Sequence, residues 1–182
     1  MIEAAGQAAI FAYAILSRLA YVLFIGIALR RAERVGSSGG FARFRQRAAL
    51  VMNNDAVAFV VLCVVTGGTL HFAGPRALAI GIGALLVAIG LGIKFWAART
   101  LGADAYYWRN FFEPNGAPEP VSRGPYRFAA NPMYTIGYLQ TYGLALIMDS
   151  GPGFVAALFS HTAILTFYYV VERPHFRRLF AP

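Results

Sequence analysis

The sequence predicts an all-α protein of the membrane, a polytopic helical bundle with about five transmembrane helices in a single domain spanning residues 1–182. Hydrophobic residues make up 58% of the chain and charged residues only 13%, whereas soluble proteins average roughly 45–50% and about 25%. The apolar residues come in long blocks, and the arginines cluster between them. Such a chain cannot cover itself with polar surface in water, so we expect an integral membrane protein.

Five apolar blocks have lengths close to the about 20 residues that cross about 30 Å of hydrocarbon, although the fourth is short. They are Ala8–Leu29, Ala56–Ala73, Ala77–Ala98, Met133–Met148 and Gly153–Val171. The first block is too long for a removable signal peptide, is interrupted by Arg18 and has no positive segment before it. We therefore interpret it as a span rather than a signal.

The net charge of +8 comes almost entirely from arginines, which cluster after every second apolar block and therefore on one side of the bundle, while the opposite connections hold only Arg76 and Asp149. They are Arg30, Arg31, Arg34, Arg43, Arg45 and Arg47 after the first block, Arg99, Arg109, Arg123 and Arg127 after the third, and Arg173, Arg177 and Arg178 after the fifth. By the positive-inside rule these segments and the C-terminus are cytoplasmic and the N-terminus is outside, in a membrane expected to be the bacterial inner membrane. The predicted partners of the basic segment Phe41–Leu50 are membrane lipids with anionic headgroups, and not nucleic acid.

Capping and turn residues predict how the spans begin and connect. Residues 53–55, Asn-Asn-Asp, are typical N-cap residues and are expected to open the second span. The segment 149–153, Asp-Ser-Gly-Pro-Gly, predicts a sharp turn, so spans four and five should form a tight hairpin. Small residues throughout the third span predict close packing against a neighbouring helix.

The second long loop, about 34 residues from Arg99 to Pro132, exceeds what is needed to join two helices. Long ordered loops tend to carry function. Its aromatic residues are interpreted as anchors at the level of the lipid headgroups. They are Tyr106, Tyr107, Trp108, Phe111 and Phe112.

A helix-start pattern closes this loop. The run Arg-Gly-Pro-Tyr-Arg at 123–127 leads to Asn-Pro-Met-Tyr at 131–134. Asn is a good N-cap and Pro suits the first helical position, so span four should begin here with free backbone N–H groups. Such an end can bind a carboxylate or phosphate. Taken alone, the pattern is equally typical of a capped helix with solvated arginines.

A second polar segment follows span five at the same membrane face. Residues 172–180 read Glu-Arg-Pro-His-Phe-Arg-Arg-Leu-Phe. The hairpin should return Glu172 to the level of Asn131, so that a carboxylate and several arginines meet a helix start beside the bilayer. The alternative is a short interfacial helix whose arginines only anchor the chain.

Together these two segments resemble the family of integral membrane methyltransferases that includes isoprenylcysteine carboxyl methyltransferase and phosphatidylethanolamine N-methyltransferase. The family's Gly-Pro-Tyr-Arg and Arg-His-Pro-x-Tyr are echoed by residues 124–127 and 131–134, and its Glu-Glu-Pro-x-Leu-Arg-Arg-x-Phe by residues 172–180. The chain departs from the pattern at Ala130 and Asn131, where Arg-His is usual, and at Arg173, where a second Glu is usual. It also stops at Pro182, before the family's tyrosine-bearing tail. Asn-Pro-Met-Tyr is similar to the phosphatidylethanolamine enzymes.

The resemblance implies methyl transfer from S-adenosylmethionine to a membrane-embedded lipophilic acceptor, with a phospholipid amine such as phosphatidylethanolamine favoured. The expected catalytic residues are Glu172, Arg178 and Asn131. The expected cofactor-binding residues are Gly124, Pro125, Tyr126, Arg127, Asn131, Pro132, Met133, Tyr134, Glu172, Arg173, Arg177 and Arg178. Carboxyl methylation of another lipophilic acceptor and a non-catalytic scaffold or carrier remain alternatives, and Glu172 or Asp104 is the candidate base.

Polar groups inside the spans carry separate expectations. Arg18 should face the bundle interior, bonded either to carbonyls or to a ligand, because a charge at that depth costs about 2.5–3.5 kcal/mol. His161 is expected to be a hydrogen-bonded core histidine. Tyr134, Tyr138 and Tyr142 share one helix face and should pack, with the first able to line a cofactor cleft. The three histidines lack metal-ligand spacing, so no metal site is predicted. The sequence leaves the oligomeric state open.

Overall fold

The computed structural model describes residues 2–35, 40–72, 74–113 and 121–180, and all regular elements in these ranges are helical. In chain order they are α1 (Ile2–Val35), α2 (Phe41–Val65), α3 (Arg76–Leu101), the short α4 (Ala103–Tyr106), α5 (Leu139–Met148), α6 (Gly151–Phe167) and α7 (Arg173–Phe180). A π-helical turn at Tyr168–Glu172 joins α6 to α7 without a break. The prediction of an all-α membrane bundle is confirmed.

Within the described residues, four helical segments are long and apolar enough to cross a membrane: Ala4–Val35, Phe41–Val65, Arg76–Leu101 and Gly151–Phe180. The predicted fourth span is the shorter apolar segment Ile136–Met148. At 1.5 Å per residue it covers roughly 20 Å, less than a full bilayer core. The described part of the chain therefore has four long helices and one short one, within the expected count of about five.

The predicted start of the second span at residues 53–55 is wrong, because α2 runs through them. The polar side chains of Asn54 and Asp55 have partners on α1 instead of capping a helix end. Asn54 donates a hydrogen bond to the Ser17 hydroxyl at 2.7 Å, and Asp55 pairs with Arg18 at 2.6 Å. The basic segment Phe41–Leu50 is accordingly the first half of α2.

The ion pair between Arg18 and Asp55 lies inside the bundle, with both side chains less than a tenth exposed. Arg18 also donates to the Tyr138 hydroxyl at 2.9 Å, and its guanidinium lies 5.0 Å from the ring centroid of Tyr21. The predicted interior placement of Arg18 is confirmed. Among the described residues its side-chain partners are a carboxylate and a hydroxyl, in place of the backbone carbonyls that were one of the two expectations.

The tyrosine face of span four is held by polar partners as well as by packing. The Tyr142 hydroxyl lies 3.1 Å from Nδ1 of His161, and the His161 ring stacks on Tyr138 with 4.8 Å between centroids. His161 is therefore hydrogen-bonded as predicted, but it is half-buried and not part of the fully buried core. Tyr134, at the other end of the face, contacts the site described below.

The aromatic residues of the second loop do not lie at the headgroup level as a group. Trp108, Phe111 and Phe112 are all buried. Phe112 packs on Phe44 of α2 at 5.0 Å between ring centroids, and Phe111 stacks on His175 of α7 at 3.6 Å. The interfacial interpretation is wrong for these three, because the segment after α4 folds back into the gap between α1, α2 and α7.

Close contact between α3 and α5 depends on facing glycines, as the small residues of span three predicted. A Cβ added to Gly83 would lie 2.7 Å from the Gly143 carbonyl oxygen, and one added to Gly143 would lie 2.5 Å from the Gly83 oxygen. Neither distance is possible without moving a backbone. The short α5 is thus held flush against α3.

The change Gly83→Ala is expected to destabilise the bundle by about 1–3 kcal/mol, because the added methyl group overpacks a backbone contact. The matched control is Gly81→Ala, since a Cβ at Gly81 meets nothing within 4 Å. Thermal unfolding in detergent measures both. Equal melting temperatures for the two variants would contradict the close α3–α5 contact.

The hairpin between α5 and α6 forms as predicted. Asp149 ends α5 in the left-handed conformation, with φ of 57°, and Ser150 caps α6 by accepting a hydrogen bond from the Gly153 amide at 2.8 Å. The hairpin returns the chain across the bundle, so that α7 and the segment before α5 share one end. That end carries the cavity.

Candidate active site

A cavity of about 1170 Å³ opens at the end of the bundle shared by α4, α7 and the segment preceding α5. Its walls combine acidic, basic and aromatic side chains. The polar and aromatic lining residues include Asp104, Tyr106, Trp108, Arg109, Glu113, Arg123, Tyr126, Asn131, Tyr134, Tyr168, Glu172, Arg173, Phe176 and Arg177. The two sequence segments that carried the family resemblance therefore face one cavity.

The carboxylate of Glu172 is the buried polar group of this cavity, with 5% of the residue exposed. Its Oε1 accepts hydrogen bonds from the Tyr134 hydroxyl, at 2.6 Å, and from the Trp108 indole N–H. Within the described chain Oε2 accepts no side-chain hydrogen bond. The carboxylate is thus fixed by one oxygen and leaves the other available.

Two local features aim these donors at Glu172. Trp108 adopts the left-handed conformation, with φ of 57°, which costs a non-glycine residue about 1–2 kcal/mol. The Tyr134 amide donates to Oδ1 of Asn131 at 3.2 Å, which fixes the turn that presents the phenol. Asn131 therefore acts on the cavity partly through Tyr134.

The predicted helix start at Pro132 is wrong in position. Residues 132–135 form a turn, a 3₁₀ segment follows at Ile136–Tyr138, and α5 begins at Leu139. Asn131 does form a capping hydrogen bond, in which its Oδ1 accepts from the Tyr134 amide. The Thr135 amide donates to the Asn131 carbonyl at 3.2 Å. The amides of Tyr134 and Thr135 are therefore bonded within the turn, and arginines on the cavity wall are further candidates to bind an anion.

Three arginines on the cavity wall have no carboxylate within 4 Å among the residues the structure describes: Arg123, Arg173 and Arg177. Arg109 differs, because it pairs with Asp104 at 2.5 Å and with Glu113 at 2.9 Å. The uncommitted guanidinium groups lie on two facing walls, one before α5 and one on α7. They are the groups suited to a carboxylate or phosphate.

The structure divides the sequence-predicted site residues into two groups. Those that line the cavity are Tyr126, Asn131, Met133, Tyr134, Glu172, Arg173 and Arg177. Those that do not are Gly124, Pro125, Arg127, Pro132 and Arg178. Arg178 instead donates to Glu33 of α1 at 2.7 Å, on the opposite face of α7.

Gly124 supports the cavity from outside it. Its φ of 60° is left-handed, and an added Cβ would lie 2.7 Å from the Thr100 hydroxyl oxygen. The Gly-Pro turn therefore packs directly on the end of α3 and carries Tyr126 to the cavity. Gly124 therefore positions lining residues without lining the cavity itself. The family resemblance singled out Gly124 but did not distinguish a residue that contacts the ligand from one that positions such residues.

Sequence reasoning missed Trp108 as a partner of Glu172 and did not single out Tyr168 and Phe176, which also line the cavity. Trp108 was interpreted as an interfacial anchor because aromatic composition alone carries that signal. Nothing local in the sequence pairs it with a carboxylate 64 residues away.

The phenols near the entrance stay protonated at neutral pH. Burial raises the pKa of Tyr106, and burial together with the nearby Glu172 carboxylate raises the pKa of Tyr126. A neutral phenol can donate a hydrogen bond while its ring packs on a flat ligand. The cavity thus offers a carboxylate, guanidinium groups without a carboxylate partner in the described ranges, and aromatic faces.

Comparison with known proteins matches residues 78–182 to the family described as phospholipid methyltransferase. The match covers more than half of the chain and contains most of the cavity wall. The chain belongs to the phospholipid methyltransferase family.

Individual relatives agree with this assignment. The chain is 32% identical over 141 residues to phosphatidylethanolamine N-methyltransferase of Pyricularia oryzae, covering 76% of this chain and 14% of that one. It is 29% identical over 147 residues to the enzyme of that name from Clavispora lusitaniae, covering 76% and 17%, and 30% over 139 residues to that of Saccharomyces cerevisiae, covering 75% and 16%. The chain thus spans roughly one-sixth of the length of these relatives. No solved structure matches it.

These relatives are eukaryotic proteins, so they give no support to the expected bacterial inner membrane. Placement in a membrane rests on the apolar helices and on the family.

Proposed function

We propose that this protein transfers a methyl group from S-adenosylmethionine to the amine of a membrane phospholipid, with phosphatidylethanolamine as the best candidate acceptor. The observation that carries the proposal is the buried Glu172 carboxylate, held by Trp108 and Tyr134 in a cavity whose wall includes Arg123, Arg173 and Arg177. Family membership and the names of the relatives support the reaction and the acceptor class.

The cavity residues fit the chemical groups of this methyl donor. A carboxylate on the ligand matches Arg123, Arg173 or Arg177, an ammonium matches a carboxylate, and a flat purine matches the faces of Tyr106 and Tyr126. When bound, S-adenosylmethionine supplies an electrophilic methyl group on a positively charged sulfur. The protein then has to align the acceptor nitrogen and keep water out.

Glu172 is the better candidate base of the two that the sequence offered. A phosphatidylethanolamine ammonium must lose a proton before its nitrogen lone pair can attack, and Oε2 of Glu172 is available to accept it. Asp104 is held in ion pairs with Arg109 at 2.5 Å and with Arg45 at 3.5 Å, so both of its oxygens already have cationic partners.

The test is binding and turnover by the purified chain in nanodiscs. A ligand that binds only the folded state stabilises it by about 2.7 kcal/mol at a hundredfold excess over its Kd, so S-adenosylmethionine or its demethylated product is expected to raise the melting temperature. Transfer of labelled methyl is expected to phosphatidylethanolamine, and not to prenylated thiols or fatty acids.

Arg177→Ala is expected to reduce the melting shift, because it removes an unpaired cation of the cavity. Arg127→Ala is the matched control, since Arg127 is an exposed arginine outside the cavity. Methylation of an acid acceptor would favour the carboxyl methyltransferase alternative. No shift at millimolar cofactor, verified by calorimetry, would make the scaffold alternative the better one.

We further propose that the cavity end of the bundle and the C-terminus face the cytoplasm and that the N-terminus lies outside. The arginine-rich segments meet at the cavity end: Arg45 of α2 pairs with Asp104 of α4, and Arg178 of α7 binds Glu33 of α1. The positive-inside rule assigns such an end to the cytoplasm. A reporter active only outside the cytoplasm, fused after Pro182, is expected to be silent, and an active fusion would reverse the topology.

A further inference from the structure

The cavity wall formed by α7 is held from behind by the C-terminal end of α1. The cavity-lining residues of α7 recur at positions 173, 176, 177 and 180, which form one helix face. His175 and Arg178 lie on the other face and contact α1. The buried residue of α7 is His175. Because this helix buries little apolar surface, its polar contacts with α1 are expected to hold it in place.

The first contact binds the π-helical turn from α1. Arg30 donates to the carbonyl of Val170 from Nη2 at 3.2 Å. Pro174, four residues after Val170, has no N–H group and cannot donate an α-helical hydrogen bond to this carbonyl. Arg30 therefore holds the π-helical turn two residues before Glu172.

The second contact joins three segments at Glu33. Its Oε1 accepts hydrogen bonds from Nδ1 of His175 at 2.8 Å and from Nη2 of Arg178 at 2.7 Å. The His175 side chain is 2% exposed and stacks on Phe111, in the segment that also carries Trp108. Glu33 thus holds α7 and, through His175, contacts the wall from which Trp108 reaches Glu172.

We propose that Arg30 and Glu33 are positioning residues that set how closely α7 approaches the opposite cavity wall, and thereby the affinity for the methyl donor. Neither side chain lines the cavity. Docking of α1 itself does not depend on them, because Ile25 and Leu29 are completely buried in the core. Loss of the clamp therefore loosens α7 and leaves the rest of the bundle packed. The inference rests on the proposed function for its ligand.

Two measurements on the full chain in nanodiscs test the clamp. In methyl transfer kinetics, Glu33→Ala and Arg30→Ala are each expected to raise KM for S-adenosylmethionine about tenfold, the effect of losing a charge-assisted hydrogen bond, while kcat stays within roughly twofold because Glu172, Trp108 and Tyr134 are retained. Glu33→Gln keeps an oxygen acceptor for His175 and is expected to recover part of the loss. Arg31→Ala is the control, one residue from Arg30 on the exposed side of α1.

The second measurement needs no methyl donor. Spin labels at positions 99 and 179, with Cys63 replaced by alanine, report the distance from the end of α3 to α7. A narrow distance distribution is expected in the otherwise unchanged chain and a broader one in Glu33→Ala. Unchanged KM and an unchanged distribution in both alanine variants would overturn the inference. If Glu33→Ala does not fold, Arg30→Ala and Glu33→Gln decide by the same criteria.

The two proposals fail separately. A chain with Arg30 and Glu33 intact that neither binds nor uses the donor would defeat the proposed function, while the label distances would still support or overturn the clamp. Normal turnover with equal KM in all variants would defeat the clamp alone.

Discussion

Glu172→Gln is expected to reduce methyl transfer at least about 100-fold while the protein stays folded, because general-base catalysis contributes roughly 10²–10⁴-fold. Glutamine retains an oxygen that can accept from Trp108 and Tyr134, but it carries no charge and cannot accept the proton from the acceptor ammonium. Single-turnover methylation of phosphatidylethanolamine in nanodiscs measures the effect, with melting temperature as the check on folding.

Glu172→Ala separates positioning from charge. Alanine leaves the donors of Trp108 and Tyr134 buried without an acceptor, at a cost of about 1–3 kcal/mol for each, so this variant is expected to lose stability as well as activity. Asp149→Asn is the matched control: it removes a carboxylate at the other end of the bundle, and asparagine tolerates the left-handed backbone there. Near-normal turnover in Glu172→Gln would show that the charge on this carboxylate is not required for methyl transfer.

Arg18→Leu is expected to lower the free energy of unfolding by about 3–5 kcal/mol, because it leaves Asp55 as a buried unpaired charge. The same change also removes the hydrogen bond to Tyr138, which joins the 3₁₀ segment before α5 to α1. Denaturant titration in mixed micelles, followed by tryptophan fluorescence, measures this loss. Arg31→Leu, at the exposed end of α1, controls for the removal of an arginine from the same helix.

The double variant Arg18→Met with Asp55→Leu is expected to recover most of the stability lost in Arg18→Leu. Replacing both members of a buried ion pair by apolar residues is often neutral or stabilising, whereas removing one is not. If Arg18→Leu is as stable as the parent chain, the ion pair does not lie in the bundle interior, or Asp55 has another partner there.

Several properties followed from local sequence alone. Apolar blocks of about 20 residues predict membrane spans because only helices satisfy their own backbone in lipid. The Asp-Ser-Gly-Pro-Gly run at 149–153 forms the expected hairpin, since its left-handed residue and its Ser150 cap use partners within a few residues. The α5–α6 hairpin also brings together the two segments that carried the family resemblance, residues 124–134 and 172–180. Both segments therefore flank or line the cavity.

Other properties depended on partners distant in the chain. Residues 53–55 have N-cap chemistry, yet Asn54 and Asp55 bind α1 in the middle of a helix. The sequence predicted Phe111 to be an interfacial anchor, whereas in the structure its ring stacks on His175. At residues 54 and 55, contacts with another helix outweigh an N-cap preference worth about 1 kcal/mol.

The division of roles on α7 shows the same limit at the site itself. Sequence alone determined that a carboxylate and a group of arginines would follow span five at the end where Asn131 lies. It could not determine which arginine faces which wall, because Arg177 and Arg178 are adjacent and chemically identical. The tertiary structure decided this: helical geometry separates adjacent side chains by about 100°, and Glu33 on α1 binds Arg178, which leaves Arg177 on the cavity side.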